Sequence, residues 1–268
     1  MDGSQQKEKK LRLTDLDPTA VTTLLCDADG TLFPSEEPAF DASVQVTNQC
    51  LQTWGVPRVF TARELRLDNN GKNFRSSLTD LARQHGLAVG QEPFLSELER
   101  WVAQENAVVT QHLASVLRQD SEVSEPLARL AGRYELAVVT SSALTRIGPC
   151  LDSTGLADFF AIDKRFSASD SLPVPTSKPD PAVYQLAGKV LGVDAQHAIA
   201  VEDAVAGAES AVRAGFCTIG MLCFVPPPER KQRVADLEEV GVAALVDSWQ
   251  ELERLLSSAE LVATAVAT

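Results

Sequence analysis

Val21-Thr22-Thr23-Leu24-Leu25-Cys26-Asp27-Ala28-Asp29-Gly30-Thr31 is the stretch on which the reading of the chain turns. Six β-prone, largely apolar residues run straight into an acidic turn. A short apolar run closed by a turn signal suits a strand buried on both faces, as in a parallel sheet. The pattern returns along the chain. Residues 134–139 end at Thr140-Ser141-Ser142, and residues 198–201 end at Glu202-Asp203. Residues 216–221 end near a proline run, and a weaker run over 242–246 stops at Asp247. Helical spacing fills the gaps over 181–191, with Asp180 as N-cap, over 205–214, stopped by Gly215, and over 249–256. Strands alternating with helices predict an α/β fold, a parallel sheet with helices on both faces. Such sheets place ligands at the carboxyl ends of their strands. The polar residues that follow each strand are therefore the candidates for chemistry.

One segment breaks the alternation. From Pro34 to Ser115 no strong strand run occurs, whereas helical spacing covers 40–54, 75–84 and 94–117. An all-helical insertion directly after the first strand predicts a cap over the strand ends. The expected organisation is a core of residues 1–33 and 116–256, a cap of 34–115, a loose lead-in over 1–20 and a loose tail over 257–268.

Composition narrows the partners. Against 37 acidic side chains stand 24 basic ones, a net charge of −13. A surface this acidic repels phosphate backbones, so nucleic acid is not expected as a partner. No run approaches the ~18 apolar residues of a membrane span, and the first thirteen residues lack the apolar core of a secretory signal. Five scattered cysteines, without a CxxC pair, favour a reducing cytoplasmic setting over a disulfide framework or zinc site. Three histidines supply little for imidazole chemistry. No partner protein is evident.

Asp27 and Asp29 stand two positions apart at a strand tip, and carboxylates so close need a cation or a shared proton. Without His or Cys ligands the fitting cation is hard and oxygen-bound, Mg²⁺ best of all. Asp-X-Asp-Gly is also an ordinary acidic turn, and Asp203 alone reads as the N-cap of the helix over 205–214. Brought to one sheet edge, Asp27, Asp29, Glu202 and Asp203 form a carboxylate cluster that only a metal makes tolerable. Lys178 lies in Thr176-Ser177-Lys178-Pro179-Asp180-Pro181, a loop stiffened by two prolines. An ammonium fixed there neutralises a phosphoryl group or holds a nucleophilic carboxylate charged. Thr140 and Ser141 offer hydroxyls and, at a helix start, backbone amides for phosphate oxygens.

Together these residues resemble the haloacid dehalogenase superfamily. Its four motifs are matched in order by Asp27-Ala28-Asp29-Gly30-Thr31, by Thr140, by Lys178 and by Glu202-Asp203 with the Gly- and Ala-rich segment to Gly215. The insertion resembles the C1 cap of the phosphoglycolate phosphatase and β-phosphoglucomutase branch. The resemblance implies a Rossmann-like core and a phosphatase acting on a small phosphorylated metabolite, a sugar phosphate or a phosphoglycolate-like acid. It implies Asp27 as nucleophile and Asp29 as general acid and base. Mg²⁺ would be held by Asp27, the main-chain carbonyl of Asp29 and Asp203, with Glu202 nearby. Thr140 and Lys178 would bind phosphoryl oxygens, with Gly30 and Ser141 in the substrate-binding set. Asp29 argues against dehalogenation, since dehalogenating members lack that aspartate. One departure is Pro34, where relatives commonly carry Asp, which bears on the hinge and the substrate mouth. In the cap, Asn69-Asn70-Gly71-Lys72-Asn73-Phe74-Arg75 carries two cations, and Lys72 or Arg75 is expected to touch the non-reacting part of the substrate. The alternatives are a phosphomutase and a catalytically silent binding subunit.

Overall fold

Six strands, β1 (Thr23–Cys26), β2 (Glu135–Thr140), β3 (Arg165–Ser167), β4 (Ala198–Glu202), β5 (Cys217–Met221) and β6 (Ala244–Val246), hydrogen-bond in the order β3-β2-β1-β4-β5-β6, and every pairing is parallel. This computed structural model describes residues 13, 16, 17, 19–69 and 72–266, and of residues 69 and 258–266 the backbone alone. The expected loose lead-in over 1–20 lies largely outside the described residues.

The sheet is buried on both sides, which explains its near-continuous apolar strands. Leu24 and Cys26 of β1 belong to one hydrophobic cluster, with Leu127, Leu151 and Trp249. These come from the helices α5 (Ser121–Ala131), α6 (Leu144–Thr154) and α10 (Trp249–Val266). Leu25 points the other way, into a cluster with Val183, Tyr184, Ala187 and Ala211, carried by α7 (Ala182–Leu191) and α8 (Val205–Arg213). A last core helix, α9 (Pro227–Val240), runs between β5 and β6 and buries Leu237.

The strand order places the site. After β1 the chain winds outward through β2 and β3, then crosses back to β4 on the other side of β1. The crevice at such a reversal opens at the carboxyl ends of the strands. Cys26 at the end of β1 is level with Val138 of β2 and Val201 of β4. The residues just beyond, Asp27, Thr140 and Glu202-Asp203, therefore share one sheet edge.

Between β1 and β2 lie α1 (Glu36–Thr53), α2 (Ala62–Asn69), α3 (Phe74–Gln84) and α4 (Phe94–Val116). They carry apolar clusters of their own. One joins Val46, Cys50, Leu78, Phe94, Leu98 and Trp101, and another joins Leu51, Val56, Phe60, Leu65 and Leu81. The far end of α4 behaves differently, since Val109 and Leu113 pack into the sheet's own cluster. One continuous helix thus serves both layers, and no break falls at residue 115.

Several elements differ from the sequence expectation. β3 was not expected, because a three-residue strand beginning with Arg165 carries no apolar run. α5 and α6 carry no uninterrupted helical spacing, since Pro126 and Pro149 fall inside them, and mostly charged α9 lacks an apolar stripe. Asp180 does cap its helix, accepting the Ala182 N–H at 2.9 Å. Asp203 does not cap α8, whose N-cap Ala204 makes no side-chain bond. The last helix runs through Val266 rather than stopping at 256, where neither Gly nor Pro ends it.

Candidate active site

Lys178 sits at the centre of the sheet edge, only 3% exposed. Its ammonium has three donors and all are spent: on Asp27 Oδ1 at 2.5 Å, on Glu202 Oε1 at 2.6 Å and on the Val139 carbonyl at 2.7 Å. The loop that presents it is pinned by Ser141, whose Oγ accepts the Lys178 N–H at 3.1 Å. From beneath, the Tyr184 hydroxyl donates to the same Glu202 oxygen at 2.5 Å. Burial alone would lower the lysine's pKa, but Asp27 and Glu202 outweigh it and hold the group above its usual range. Lys178 is therefore a fixed positive charge beside Asp27.

Asp27, Glu202 and Asp203, all buried, each offer an oxygen within 4.8 Å of the others. Burial raises the pKa of every one of them, and a neighbouring carboxylate adds to it: Asp29 for Asp27, and Asp27 for Glu202 and Asp203. Asp27 is pushed up by burial against the pull of Lys178, and Glu202 reaches about 8 through burial and the charge of Asp27. Asp203 rises through burial, then Glu36 and Asp27. It is also gripped by Thr31, whose Oγ1 donates to Oδ1 at 2.9 Å, and by Arg233, which donates to its main-chain oxygen at 2.6 Å. Glu202 Oε2 is buried without a partner.

Gly30 explains how the carboxylate comes so close. It lies at φ +83°, and a Cβ there would stand 2.5 Å from Asp203 Oδ2. The structure thus places Gly30 against Asp203. Three buried carboxylates, one partnerless oxygen and no soft donor make a set that fits a hard divalent cation. Gly30→Ala is expected to weaken Mg²⁺ binding about 10–100-fold, as changes behind a metal ligand do, read by titration calorimetry.

The sign of the pH effect follows. Glu202 holds its proton up to about pH 8 when folded and releases it near 4.5 when unfolded. Between those values the folded state binds more protons, so stability falls as pH rises. The metal-free protein is expected to melt at a lower temperature at pH 8 than at pH 5. Mg²⁺, which needs the carboxylates ionised, is expected to raise the melting temperature more at pH 8. A thermal-melt series with and without Mg²⁺ checks both.

Asp29 stands apart from the carboxylate trio. Ser35 Oγ donates to its Oδ1 at 2.5 Å and Ser142 Oγ to its Oδ2 at 2.7 Å. Its side chain is thus aimed by two serines. The sequence reading missed both serines. Ser142 adjoins the Thr140-Ser141 signal, and Ser35 carries none beyond nearness to Phe33. Thr140 Oγ1 accepts the Ser142 N–H at 3.0 Å, turning the loop toward Asp29. Trp249, also missed, donates from Nε1 to the Thr31 carbonyl at 3.0 Å and braces the first motif.

A cavity of about 430 Å³ opens over these groups, lined by Asp27, Asp29, Thr140 and Lys178 from the core and by Lys72, Asn73 and Arg75 from the helical insertion. Asn73 ties the two together. Its N–H donates to Ser177 Oγ at 2.9 Å and its Nδ2 to the Thr176 carbonyl at 2.8 Å, on the loop that presents Lys178. Arg66 of α2 similarly reaches Glu229 of α9 at 2.9 Å. Lys72 and Arg75 do face the cavity, but neither is an uncommitted cation. Lys72 Nζ pairs with Asp80 at 2.8 Å, and Arg75 grips Glu99 through both terminal nitrogens, at 2.7 Å for Nη2. Asn70 and Gly71 of that turn lie outside the described residues.

The model of the haloacid dehalogenase-like hydrolases matches residues 21–215, which hold all four motifs. The chain belongs to the haloacid dehalogenase-like hydrolases. Among curated relatives, this hydrolase is 28% identical over 206 residues to a phosphoglycolate phosphatase of Pectobacterium atrosepticum, covering 76% of the chain and 81% of that protein. Its fold is similar to that of CbbY from Rhodobacter sphaeroides, solved in complex with phosphate: TM-score 0.65, 22% identity, 87% of this chain and 96% of that one. It is also similar to a hydrolase of the same family from Deinococcus radiodurans with bound phosphate and sodium: TM-score 0.59, 24% identity, 91% and 98%.

Proposed function

We propose that this hydrolase is an Mg²⁺-dependent phosphatase that cleaves a small phosphorylated metabolite through an aspartyl-phosphate on Asp27. The observation that carries the reading is the contrast between two aspartates two residues apart. Asp27 is paired with a fixed ammonium, whereas Asp29 is held off by two serines in a different setting. Two carboxyl groups in unlike surroundings serve unlike roles. Asp27, paired with Lys178, attacks phosphorus as its bond to the substrate's ester oxygen breaks. Asp29 gives its proton to that leaving oxygen and then takes one from the water that cleaves the acyl phosphate. Thr140 orients the phosphoryl oxygens and the fixed charge of Lys178 offsets theirs, with Ser141 holding the lysine loop in place. Asp27, Asp203 and the Asp29 carbonyl, with Glu202 nearby, would hold Mg²⁺, which would offset negative charge on the reacting groups.

We read α1–α4 as a cap that excludes water from the intermediate, anchored to the core by Asn73 and Arg66. No helix among the described residues is long and apolar enough to cross a membrane, and all five cysteines are free thiols, which supports a cytoplasmic setting. The family relatives support a small phosphorylated substrate. The test is a panel of phosphorylated metabolites with Mg²⁺, followed by phosphate release over time and with Asp27→Asn as the blank. Free phosphate accumulating with Mg²⁺ supports the reading. An isomer forming instead assigns a phosphomutase, and no Mg²⁺-stimulated turnover on any member sinks the enzyme.

A further inference from the structure

We infer that Tyr184 is a positioning residue of the site: its buried hydroxyl fixes the Glu202 carboxylate, and through it Lys178, in the one geometry that serves both the carboxylate cluster and Asp27. This rests on the Mg²⁺-dependent phosphatase reading above. Tyr184 lies outside the four motif segments, in the first turn of α7, six residues beyond Lys178. It is wholly buried beneath the floor of the site and does not line the cavity. Its surroundings are apolar, a cluster that includes Leu25, Val183, Ala187, Ala200 and Phe216. Phenylalanine would meet that packing role as well. A hydroxyl in such a place costs free energy unless it is hydrogen-bonded, and this one is spent on Glu202 Oε1 at 2.5 Å.

The site needs such a brace. Glu202 Oε1 also accepts from Lys178 Nζ, at 2.6 Å, and the same ammonium reaches Asp27 Oδ1 at 2.5 Å. Glutamate and lysine are both long side chains that lose much rotamer freedom when held, so their pairing alone fixes neither. Tyrosine turns about two torsions only, and its ring is wedged in the apolar cluster, 6.3 Å from the ring of Phe216. One rigid group thus meets both flexible ones, since Lys178 Nζ also lies over the Tyr184 ring, 5.3 Å from its centroid. On the far side Gly207 of α8 completes the fit, because a Cβ there would overlap Glu202 Oε2. The carboxylate is therefore set between the hydroxyl and the start of α8. With Oε1 taken twice, Oε2 remains buried without a partner, the oxygen that an incoming cation would meet.

Tyr184→Phe keeps the ring, its packing and its face toward Lys178, and removes the hydroxyl alone. Titration calorimetry is expected to show Mg²⁺ bound about tenfold more weakly, the lower end of the loss seen when a partner behind a metal ligand is removed. At saturating Mg²⁺, kcat for p-nitrophenyl phosphate is expected to fall by about the same factor. KM should hold, because Tyr184 does not line the cavity. The metal-free melting temperature should stay near that of the wild type, since Lys178 still satisfies Glu202 Oε1. Phe216→Leu is the packing control. It loosens the same cluster at a ring without a polar atom, and is expected to lower the melting temperature while leaving Mg²⁺ affinity and kcat as they were. An unchanged dissociation constant or an unchanged kcat in Tyr184→Phe overturns the inference. An equal loss of Mg²⁺ affinity in Phe216→Leu overturns it too, by assigning the effect to packing. If the wild type binds Mg²⁺ and hydrolyses the ester while Tyr184→Phe matches it, only the role of Tyr184 falls. If the wild type neither binds Mg²⁺ nor hydrolyses the ester, the phosphatase reading falls and takes the inference with it.

Discussion

Asp27→Asn is expected to lose at least about 10⁴-fold in kcat on every phosphate ester, the scale on which removing a covalent nucleophile acts. The amide keeps the shape of the side chain and can still touch Lys178, but it has no anionic oxygen to attack phosphorus. The same substitution is expected to leave the metal-free melting temperature equal or higher. Asp27 is buried beside Glu202 and Asp203, and its charge raises the pKa of both. Taking that charge away relieves repulsion, while Lys178 keeps Glu202 and the Val139 carbonyl as partners. Mg²⁺ should then raise the melting temperature less than in the wild type, because one ligand has lost its charge. Parallel assays of phosphate release and thermal melting decide the matter. Substantial turnover in this variant refutes the nucleophile.

Lys178→Met goes the other way on stability. Methionine fills most of the lysine's volume and leaves Asp27 and Glu202 facing each other without a counter-charge. Breaking a buried pair from one side costs about 3–5 kcal/mol, because the abandoned charge remains in a dry site. A clear fall in melting temperature at pH 8 is expected, smaller at pH 5, where the carboxyl groups can take up protons. Turnover should fall too, since an unpaired buried Asp27 is stored as the acid, and an acid is a poor nucleophile. Saturating Mg²⁺ should recover part of the stability by restoring positive charge. A variant that melts with the wild type at both pH values would show that Lys178 is not the charge that balances the cluster.

Much of the core was legible because parallel strands announce themselves. Runs such as 21–26 and 198–201 are apolar on both faces, and each ends on the polar residues that matter. Asp27, Thr140, Lys178 and Asp203 thus stand out in the sequence itself. The serines around Asp29 could not, since Ser35 and Ser142 are common residues far apart in the chain, and only the fold brings both hydroxyls to one carboxylate. Trp249 is a similar case. It reads as the first apolar position of an amphipathic helix, yet it is its indole N–H that holds the Thr31 carbonyl. β3 was invisible for another reason, since so short and polar a strand is stabilised by its neighbour β2 rather than by its own residues.

The helical insertion shows what the sequence leaves open. Lys72 and Arg75 looked like cations waiting for a substrate because their partners, Asp80 and Glu99, stand eight and twenty-four positions away. Charge is readable along a chain, but whether it is already neutralised depends on contacts that only folding makes. The apolar strands other than β3 and the four motif segments were determined by the sequence, because local hydrophobic patterning and turn chemistry act over a few residues. Tertiary structure alone decided which oxygen faces which cation, how far Gly30 lets Asp203 in, and which charges remain for a ligand. Those outcomes depend on distances of a few ångströms between segments that the chain itself keeps far apart.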